Sequence, residues 1–480
     1  MKGLTFLLAV IVSMSLHAQE VRILNLQECI DIAIENNLNV KRSRLDVESA
    51  RAGLLQSKGS LLPNANVNGN YGFNWGRSID PTTNQFINQQ IQFAGAGGSS
   101  NVTLFNGFSL INGVKQSQAN LEARQYGLEF SENTITLNII NSYLSVIFNR
   151  ELVENAKYQL ESSREQLERT TKLVEAGSLP ITNKLELQSQ VASNEVQLVN
   201  NQNQLDLAVL SLKQAMLIPA SEQIDVIIPD MGEINVETIE KMSGQEVYEI
   251  AEQEQPEIRS ADLGLEAANY GYRSALGGYY PSLSLGLNIN TNFSNAFTTR
   301  RLPDGTFDVQ PTGAFAVVNG EQFDVLAPSP NFETVPFGLE RQFEENLRTS
   351  LGINLQIPIF NGFRTRANVQ RAKIAVQQAE ITAIEQRNTL RQQIETAYNN
   401  ALAAAKTYEA NLRQVEALEE TFRLVENQYN LGAANFTDYQ VANNNLFGAR
   451  SDLLRAKYDF VFRKKILEFY QGQPVTFETN

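Results

Sequence analysis

"LFNGFSLINGV" at residues 104–114 and "IFNGFRTRANV" at residues 359–369 share a Phe-Asn-Gly-Phe motif, repeated at a distance of 255 residues. An apolar, strand-like run precedes each motif, and a helix-like run follows it. Similarity at one fixed offset is the signature of a duplicated architecture. We therefore read the chain outward from the motifs as two copies of one plan.

The helical part of each copy is the longest. The offset of 255 holds for more than a hundred positions, and apolar residues recur every seven positions in both copies. Residues 363–431 contain neither Gly nor Pro, which predicts one long helix. Strict seven-residue spacing implies left-handed supercoiling against neighbouring helices. Gly177 and its counterpart Gly432 predict tight turns, so each copy should contain a helical hairpin.

A second offset, of 218 residues, relates the segments that precede the motifs. "LQECIDIAIENN" at 26–37 aligns with "GQEVYEIAEQEQ" at 244–255, and Pro63 aligns with Pro281. The second copy therefore holds 37 more residues between Pro281 and its motif. They fall at 294–346, where frequent Pro, Gly and Asp predict a long loop.

Four stretches alternate apolar and polar residues, as β-strands with two unlike faces do. They are residues 64–75, 97–105, 282–289 and 350–359. A half-buried soluble sheet alternates in this way, and so does a membrane strand with lipid on one face and a wet lumen on the other. About twelve residues tilted near 45° span the roughly 25 Å apolar band of an outer membrane, which favours the membrane strand.

Aromatic residues cluster at both ends of these strands, as the girdles of membrane strands do. One cluster contains Tyr279, Tyr280, Phe105, Phe108, Phe360 and Phe363, and the other contains Phe73, Trp75 and Phe293. In this interpretation each motif is the corner where a membrane strand becomes a periplasmic helix. Asn106-Gly107 and Asn361-Gly362 make the turn, and the phenylalanines anchor it at the interface. The alternative is a hydrophobic turn in a soluble core.

Four strands cannot close a barrel, and an open sheet edge in lipid leaves backbone groups unsatisfied. The chain should therefore oligomerise, with eight strands from two copies or twelve from three. Side chains fill an eight-stranded barrel, whereas twelve strands leave a lumen. The small, polar residues of the inward face favour the trimer.

The scarcity of His and Cys limits the catalytic and metal-binding sites that this chain could form. Residues 1–18 have the Lys, the apolar run and the final Ala of a secretory signal peptide, and His17, the only histidine, lies within them. Cys29 is the only thiol and is read as a small, partly buried core residue. Without His in the mature chain, we expect no catalytic triad, no metal site and no cofactor, so a secreted enzyme is disfavoured. The net charge of −14 argues against nucleic acid as a partner.

With these features in place, the chain resembles the TolC-type outer-membrane efflux protein family over nearly all of residues 24–472. The corner motifs and "YNLGAANFTDYQVANNNL" at 429–446 carry the resemblance most sharply. It implies a homotrimer whose twelve-stranded outer-membrane β-barrel continues into a long periplasmic α-helical barrel. It also implies a passive exit duct for drugs or proteins in a tripartite efflux or type I secretion system. The partners would be a periplasmic adaptor (membrane fusion) protein, an inner-membrane pump and outer-membrane lipid.

The predicted fold class is therefore mainly α with β, in two tandem repeats. In order, we expect a signal peptide at 1–18, a first repeat at 19–217, an equatorial linker at 218–243, a second repeat at 244–472 and a tail at 473–480. Each repeat should hold a helix, a strand hairpin (64–105 or 281–360) and a helical hairpin (107–217 or 362–471).

The family's closed periplasmic tip is held by polar links and lined by acidic residues. By resemblance, the gate candidates here are a linking tyrosine, its two partners on the other hairpin and an acidic aperture residue: Tyr429, Thr182, Asn183 and Asp438. This chain departs from the family at the linking Arg, the second acidic residue and the linking Asp, where it has Ala434, Val441 and Asn183. Closure by an Arg salt bridge is therefore not expected, and a hydrogen bond between Tyr429 and Asn183 is the alternative link.

Helix capping is the plainer interpretation of the same residues. Each polar candidate at the helix starts follows a glycine turn, where Ser, Thr, Asn and Asp are favoured caps. Asn183 with Glu186 matches a capping box, and capping is the alternative role of Asp438.

A soluble periplasmic coiled-coil adaptor or adhesin is the alternative function. It accounts for the long helices but not for four alternating strands with aromatic ends. It also predicts a protein that is released without detergent.

Overall fold

The computed structural model describes residues 21–79, 84–88, 90–228, 236, 239, 243–296 and 298–473. The predicted signal peptide, most of the linker beyond Ile228 and the tail beyond Gln473 lie outside these residues. The chain divides into two compact units, a helical unit (Met1–Ala52, Gln118–Ala268 and Ala375–Asn480) and a sheet unit (Gly53–Ser117 and Asn269–Ile374).

Helices account for most of the described residues. They are α1 (Leu26–Asn36), α2 (Leu38–Gly59), α3 (Ser109–Glu175), α4 (Ile181–Ala215), α5 (Gly244–Glu254), α6 (Pro256–Leu276), α7 (Leu339–Glu345), α8 (Arg364–Asn430) and α9 (Phe436–Tyr470). Helices α3 and α8 each have 67 residues, and α4 and α9 each have 35, so the two helical hairpins have matching lengths. Of the helices described, none is long and apolar enough to cross a membrane.

The described strands form one larger sheet and several two-stranded ones. They are β1 (Arg22–Leu24), β2 (Asn64–Asn74), β3 (Arg77–Ile79), β4 (Phe86–Asn88), β5 (Ile91–Asn106), β6 (Ile224–Val226), β7 (Ser282–Ser294), β8 (Thr299–Val318), β9 (Glu321–Pro336) and β10 (Arg348–Gln356). The larger sheet is antiparallel with the order β10-β7-β5-β2. Strand β1 pairs with β6, β3 with β4, and β8 with β9.

The seven-residue apolar spacing of the helices corresponds to buried positions. Ile139 and Val146 of α3, and Ile394 and Ala401 of α8, are each 0% exposed. Helix α1 and the β1–β6 pair complete the core around α3. Cys29 lies in this core and is fully buried, deeper than the sequence predicted, because α1 packs its apolar stripe against α3.

Polar side chains of α3 hold the β1–β6 pair in place. The Tyr143 hydroxyl donates to the carbonyl oxygen of Ile227 at 2.5 Å. Arg150 donates to the carbonyl oxygen of Val226 at 2.9 Å and forms an ion pair with Asp225. The short strands beside α3 are thus positioned by side-chain hydrogen bonds as well as by packing.

An ion pair joins equivalent helices in the two repeats, with the charges exchanged. Arg44 of α2 contacts Glu132 of α3 at 3.0 Å. At the positions 218 and 255 residues later, Asp262 of α6 contacts Arg387 of α8 at 2.8 Å. Arg387 also donates to Glu252 at 3.1 Å. Both repeats keep the contact while reversing its sign.

Cross-strand pairs align the apolar residues of the four-stranded sheet into rows. Ile353 of β10 lies opposite Leu285 of β7, which lies opposite Val102 of β5. A register shift just before Phe105 then pairs that residue with Leu283. Because side chains alternate between faces, the shift keeps the Phe105 ring on the apolar face.

The other face of the sheet carries asparagines packed over glycines. Gly97 of β5 lies opposite both Asn68 of β2 and Asn290 of β7. A Cβ atom at Gly97 would lie 2.7 Å from the Asn290 Oδ1 and 3.3 Å from the Asn68 Oδ1. Glycine therefore leaves room for amide groups from both neighbouring strands, and this face presents hydrogen-bonding groups.

The prediction of a long loop at 294–346 is wrong, because most of this segment is a β-hairpin. Strands β8 and β9 pair antiparallel, and Asn319 and Gly320 connect them with φ values of 57° and 90°. Two left-handed residues are what a type I′ hairpin turn requires. Five of the Pro, Gly and Asp residues that suggested a loop lie at two register shifts, Pro303/Phe307 and Pro311/Phe315, and most of the others lie in paired strand.

Helix α7 fastens the base of this hairpin to β7. Gln342 is 0% exposed, and its Oε1 accepts a hydrogen bond from the backbone N–H of Ser294 at 2.9 Å. Its Nε2 donates to the carbonyl oxygens of Ser294 and Phe337 at 3.0 Å and 2.8 Å. One buried amide side chain therefore links three segments.

Candidate functional site

Both Phe-Asn-Gly-Phe corners turn through two consecutive left-handed residues. Gly107 and Phe108 each have a φ of 64°, and Gly362 and Phe363 have φ values of 62° and 64°. A positive φ is common for glycine and uncommon for a residue as large as Phe. The same rare conformation at both corners explains why the motif recurs: it turns the chain into the long helix that follows, directly after β5 in the first repeat and after five further residues beyond β10 in the second.

The phenylalanines of each corner contact each other edge to face. The ring centroids of Phe105 and Phe108 are 5.3 Å apart with an interplanar angle of 86°. Those of Phe360 and Phe363 are 5.5 Å apart at 87°. Phe108, Phe360 and Phe363 are 60%, 76% and 64% exposed in the single chain, so these pairs form an outer aromatic surface of the sheet unit.

The asparagine of each motif caps the helix that follows. Asn106 Oδ1 accepts from the backbone N–H of Leu110 at 3.2 Å. Asn361 Oδ1 accepts from the N–H of Thr365 at 3.5 Å, and its Nδ2 donates to the Thr365 hydroxyl at 2.5 Å. Helix starts leave N–H groups without partners, and these side chains satisfy one in each copy.

The remaining interface aromatics lie at the strand ends. Phe73 contacts both Tyr71 and Trp75, with centroid distances of 5.4 Å and 6.0 Å. Phe293 of β7 shares a row with Tyr71, because both pair with Ala94. Tyr279 and Tyr280 precede β7 and are 51% and 57% exposed. Tyr280 lies beside Gly107 of the first corner, and Tyr279 lines a cleft with Phe360 and Phe363 of the second.

Each helical hairpin tip is closed by a Schellman turn around its glycine. Gly177 has a φ of 75°, its N–H bonds Val174 O at 3.0 Å, and the next N–H bonds Leu173 O at 2.8 Å. Gly432 has a φ of 74°, its N–H bonds Tyr429 O at 3.0 Å, and the next N–H bonds Gln428 O at 2.7 Å. Both glycines therefore end their helices as left-handed terminators.

The helices after these turns begin earlier than the capping interpretation assumed. Asn435 caps α9, because its side chain accepts from the Asp438 N–H at 2.9 Å. Pro180 precedes α4 without a side-chain cap. Thr182 and Asn183 thus lie inside the first turn, and the capping box of Asn183 with Glu186 is wrong: the extended Pro180 already provides the helix boundary.

Tyr429 belongs to an aromatic cluster at the tip and not to a polar link within the chain. Its ring stacks on Tyr439 at 5.0 Å and contacts Phe436 at 6.1 Å. In the described residues no hydrogen bond joins Tyr429 to Asn183, whose Oδ1 accepts from the Thr182 hydroxyl at 3.5 Å.

The sequence analysis missed two members of this cluster. Tyr439 is 5% exposed and Phe436 is 6% exposed, packed with Leu187 from the other hairpin. Burial raises the pKa of Tyr439 to about 12. Their spacing of three residues at the start of α9 was the available signal, since such residues share a helix face.

Asp438 is the one acidic residue in the first turn of α9, and it is exposed. The helix N-terminus stabilises its negative charge. Its backbone N–H, not its carboxylate, takes part in the cap. The Asp438 side chain is therefore free of the cap and exposed in the single chain.

A family model and several known proteins match this chain over most of its length. The family model described as "Outer membrane efflux protein" matches residues 29–216 and 247–469. The outer membrane protein TolC of Salmonella enteritidis is 21% identical over 93% of this chain and 82% of its own length. The alkaline protease secretion protein AprF of Pseudomonas aeruginosa is 20% identical over 94% of this chain and 84% of its own.

Solved structures share the fold at low sequence identity. The outer membrane protein VceC of Vibrio cholerae superposes with a TM-score of 0.72 at 14% identity, covering 94% of this chain and 97% of that one. The CmeC outer membrane channel of Campylobacter jejuni gives 0.65 at 16% identity, covering 93% and 85%. The mainly α fold with a β part that the sequence predicted is confirmed. The chain belongs to the outer membrane efflux protein family.

Proposed function

We propose that this chain is one subunit of a homotrimeric exit duct, the passive outer-membrane channel component of an efflux or type I secretion system. The exposed apolar face of the four-stranded sheet carries the proposal. Val67, Leu351 and Ile353 are 91%, 70% and 69% exposed. Water disfavours such a continuous face, whereas outer-membrane lipid covers it without cost. This favours the channel over a soluble periplasmic adaptor or adhesin.

The edges of the sheet support the trimer. Strands β2 and β10 end the order β10-β7-β5-β2, and each is paired on one side within the chain. Unpaired backbone groups in lipid cost several kcal/mol each, so the edges need partners. Three copies would close twelve strands around the asparagine-lined face, which leaves a polar lumen.

The duct itself would carry out no chemistry. Relatives are named for alkaline protease secretion (AprF) and for cation efflux (CusC of Escherichia coli O157:H7), so the names of similar chains include both a protein and an ion. Such a passive channel needs an energised inner-membrane pump and a periplasmic adaptor to deliver its cargo. Its building units would be the two repeats, at residues 19–217 and 244–472.

The hairpin tips would form the periplasmic gate. Three copies of the exposed Asp438 would make an acidic ring, and Tyr429 with its aromatic neighbours would hold each tip closed. Thr182 and Asn183 would face the same aperture from α4. Docking of the adaptor and pump would open the gate by moving the two helical hairpins apart.

The native mass of the mature protein, extracted from washed outer membranes with and without detergent, tests the proposal. We expect a trimer that requires detergent and that conducts ions in a planar bilayer. A species that is water-soluble after washing would mean that the apolar face packs against protein, and the channel would then be excluded.

A further inference from the structure

The unpaired edges of the sheet unit have a template within the same chain. Strand β5, the second strand of the first repeat, pairs with β7, the first strand of the second repeat. The equivalent strands left without such a partner are β10, the second strand of the second repeat, and β2, the first of the first. A repeat protein that reuses one contact would pair β10 with β2 of another copy.

The two sequence offsets convert the residue pairs between β5 and β7 into expected residue pairs between the β10 edge of one copy and β2 of the next. Adding 255 to the β5 residue and subtracting 218 from the β7 residue converts the pair Val102↔Leu285 into Ile357↔Val67. The same operation converts Gly98↔Ile289 into Ile353↔Tyr71.

The resulting pairs match in chemistry. Each derived pair joins apolar residues that are 59% to 91% exposed in the single chain: Ile357 59%, Val67 91%, Ile353 69% and Tyr71 61%. Phe105↔Leu283, after the register shift, becomes Phe360↔Ala65 in the same way. The apolar row of the sheet thus continues unbroken across the edge.

Glycines give independent evidence for the same contact. Gly107 and Gly277 cross closely: a Cβ atom on Gly107 would lie 2.5 Å from the Gly277 carbonyl oxygen, and one on Gly277 would lie 2.9 Å from the Gly107 carbonyl oxygen. Their counterparts at the two offsets are Gly362 and Gly59, and neither has an atom within 4 Å of such a Cβ. Gly362 and Gly59 are thus the two residues that could form an equivalent backbone crossing, and in the single chain no other described segment packs against either of them.

A second glycine of α2 repeats this relation. A Cβ atom on Gly271 would lie 3.0 Å from the side chain of Gln116, whereas Gly53, 218 residues earlier, has open space. The counterpart of Gln116 is Arg371, a flexible side chain. Gly53 and Gly59 are thus two small residues of α2 for which the described part of the chain places no atom within 4 Å of an added Cβ.

We propose that a second copy of this chain lies against the edge of β10 and the residues that follow it, with its Val67 opposite Ile357, the residue after β10, and its Gly59 crossing Gly362. The inference rests on the proposed trimer and defines the residue register of its subunit interface. A slip by two residues would keep the apolar face outward but would separate the two glycines by about 7 Å, so the crossing selects one register.

Disulfide trapping tests this register, and the buried Cys29 is the only native thiol. The double variant Val67→Cys/Ile357→Cys should give a covalent trimer on a non-reducing denaturing gel. Directly opposite residues have Cβ atoms about 4.5–5.5 Å apart, whereas diagonal neighbours are about 7–8 Å apart and beyond disulfide reach. Val67→Cys/Leu355→Cys, two residues out of register, should stay monomeric on that gel. Val102→Cys/Leu285→Cys, the template pair, should close within each chain.

The glycine crossing has its own test. Gly59→Ala should fold as a chain with unchanged helix content, yet reduce the trimer recovered in detergent at least tenfold, because its Cβ meets backbone of the next copy. Gly53→Ala is the matched control and should retain the trimer, because the flexible Arg371 can move.

The outcomes separate this inference from the proposed function. A native trimer that crosslinks through Val67/Leu355 and not through Val67/Ile357, or one that tolerates Gly59→Ala, overturns the register and leaves the duct standing. A wild-type chain that stays monomeric in detergent overturns both.

Discussion

At the scale of single residues, the two repeats have kept the turn glycines and changed the residues that follow. Gly177 and Gly432 close equivalent Schellman turns, but the next helix starts with an uncapped Pro180 in one repeat and with the cap Asn435 in the other. The two equivalent turns therefore require their glycines, whereas the residues that begin the next helix differ between the repeats. Asp438 and its counterpart Asn183 differ in charge as well.

The cap residue gives the first prediction. Asn435→Ala should destabilise the first turn of α9 by about 1 kcal/mol, because its side chain satisfies the Asp438 N–H. Asn435→Asp should restore most of the loss. Asn183→Ala should have little effect, because Asn183 does not cap α4. Amide hydrogen exchange of peptides covering each tip measures the three variants, and equal protection losses in Asn183→Ala and Asn435→Ala would contradict the assignment.

Tyr439 gives a prediction for alkaline pH. Burial raises its pKa from 10.0 to about 12, so the folded tip favours the neutral phenol. The stability that this group contributes is complete below pH 10 and is lost as the pH rises from 10 towards 12. In a spectroscopic pH titration, the tyrosinate absorbance of the wild type minus that of Tyr439→Phe isolates this residue. The midpoint of that difference should lie near pH 12. A midpoint near pH 10 would show that the ring is solvated and that the aromatic tip cluster is loose.

At the scale of elements, the exchanged ion pairs define which helices pack together. Arg44–Glu132 joins α2 to α3, and Asp262–Arg387 joins α6 to α8. A wrong pairing of α2 with α8 would oppose Arg44 to Arg387, and one of α6 with α3 would oppose two acids. Like charges in contact disfavour both mistakes, so the reversal distinguishes two otherwise similar repeats.

Charge reversal tests this device. Arg387→Glu should lower the thermal stability of the detergent-solubilised protein by the equivalent of about 1 kcal/mol, because it opposes Asp262 and Glu252. Adding Asp262→Arg should recover much of the loss by recreating the arrangement of the first repeat. Arg423→Ala, which breaks only an exposed pair within α8, is the control and should change little. Strictly additive effects of the two reversals would mean that the pair contributes no coupling.

At the scale of the whole molecule, charge predicts how the duct treats ions. The chain carries a net charge of −14, and one of its carboxylates, that of Asp438, is exposed at the tip between α8 and α9. Negative groups around a narrow passage raise the local concentration of cations.

We therefore expect a cation-selective channel. In a planar bilayer with a salt gradient, the reversal potential should be set by the cation, and Asp438→Asn should move it towards zero. Thr437→Val, an uncharged change at the neighbouring position, should leave selectivity unchanged. A potential set by the anion in the wild type would contradict both the charge argument and the aperture role of Asp438.

The sequence by itself determined the parts that depend on local pattern. Two offsets, of 255 and 218 residues, exposed the duplication, and the seven-residue spacing predicted helices that the structure places at Arg364–Asn430 and Phe436–Tyr470. Alternation predicted the sheet strands, and the corner motifs predicted where the two long helices begin. These features follow from side-chain periodicity and turn conformation, which neighbouring residues decide.

Only the tertiary structure decided the features that depend on distant residues. The hairpin at 299–336 looked like a loop because it is rich in Pro, Gly and Asp, and only the partner strand shows that these residues lie in paired strand or at register shifts. Arg44 and Glu132 lie 88 residues apart, and the space around Gly59 depends on which backbone arrives there. Contacts of this kind are set by packing between segments, so no local pattern in the sequence encodes them.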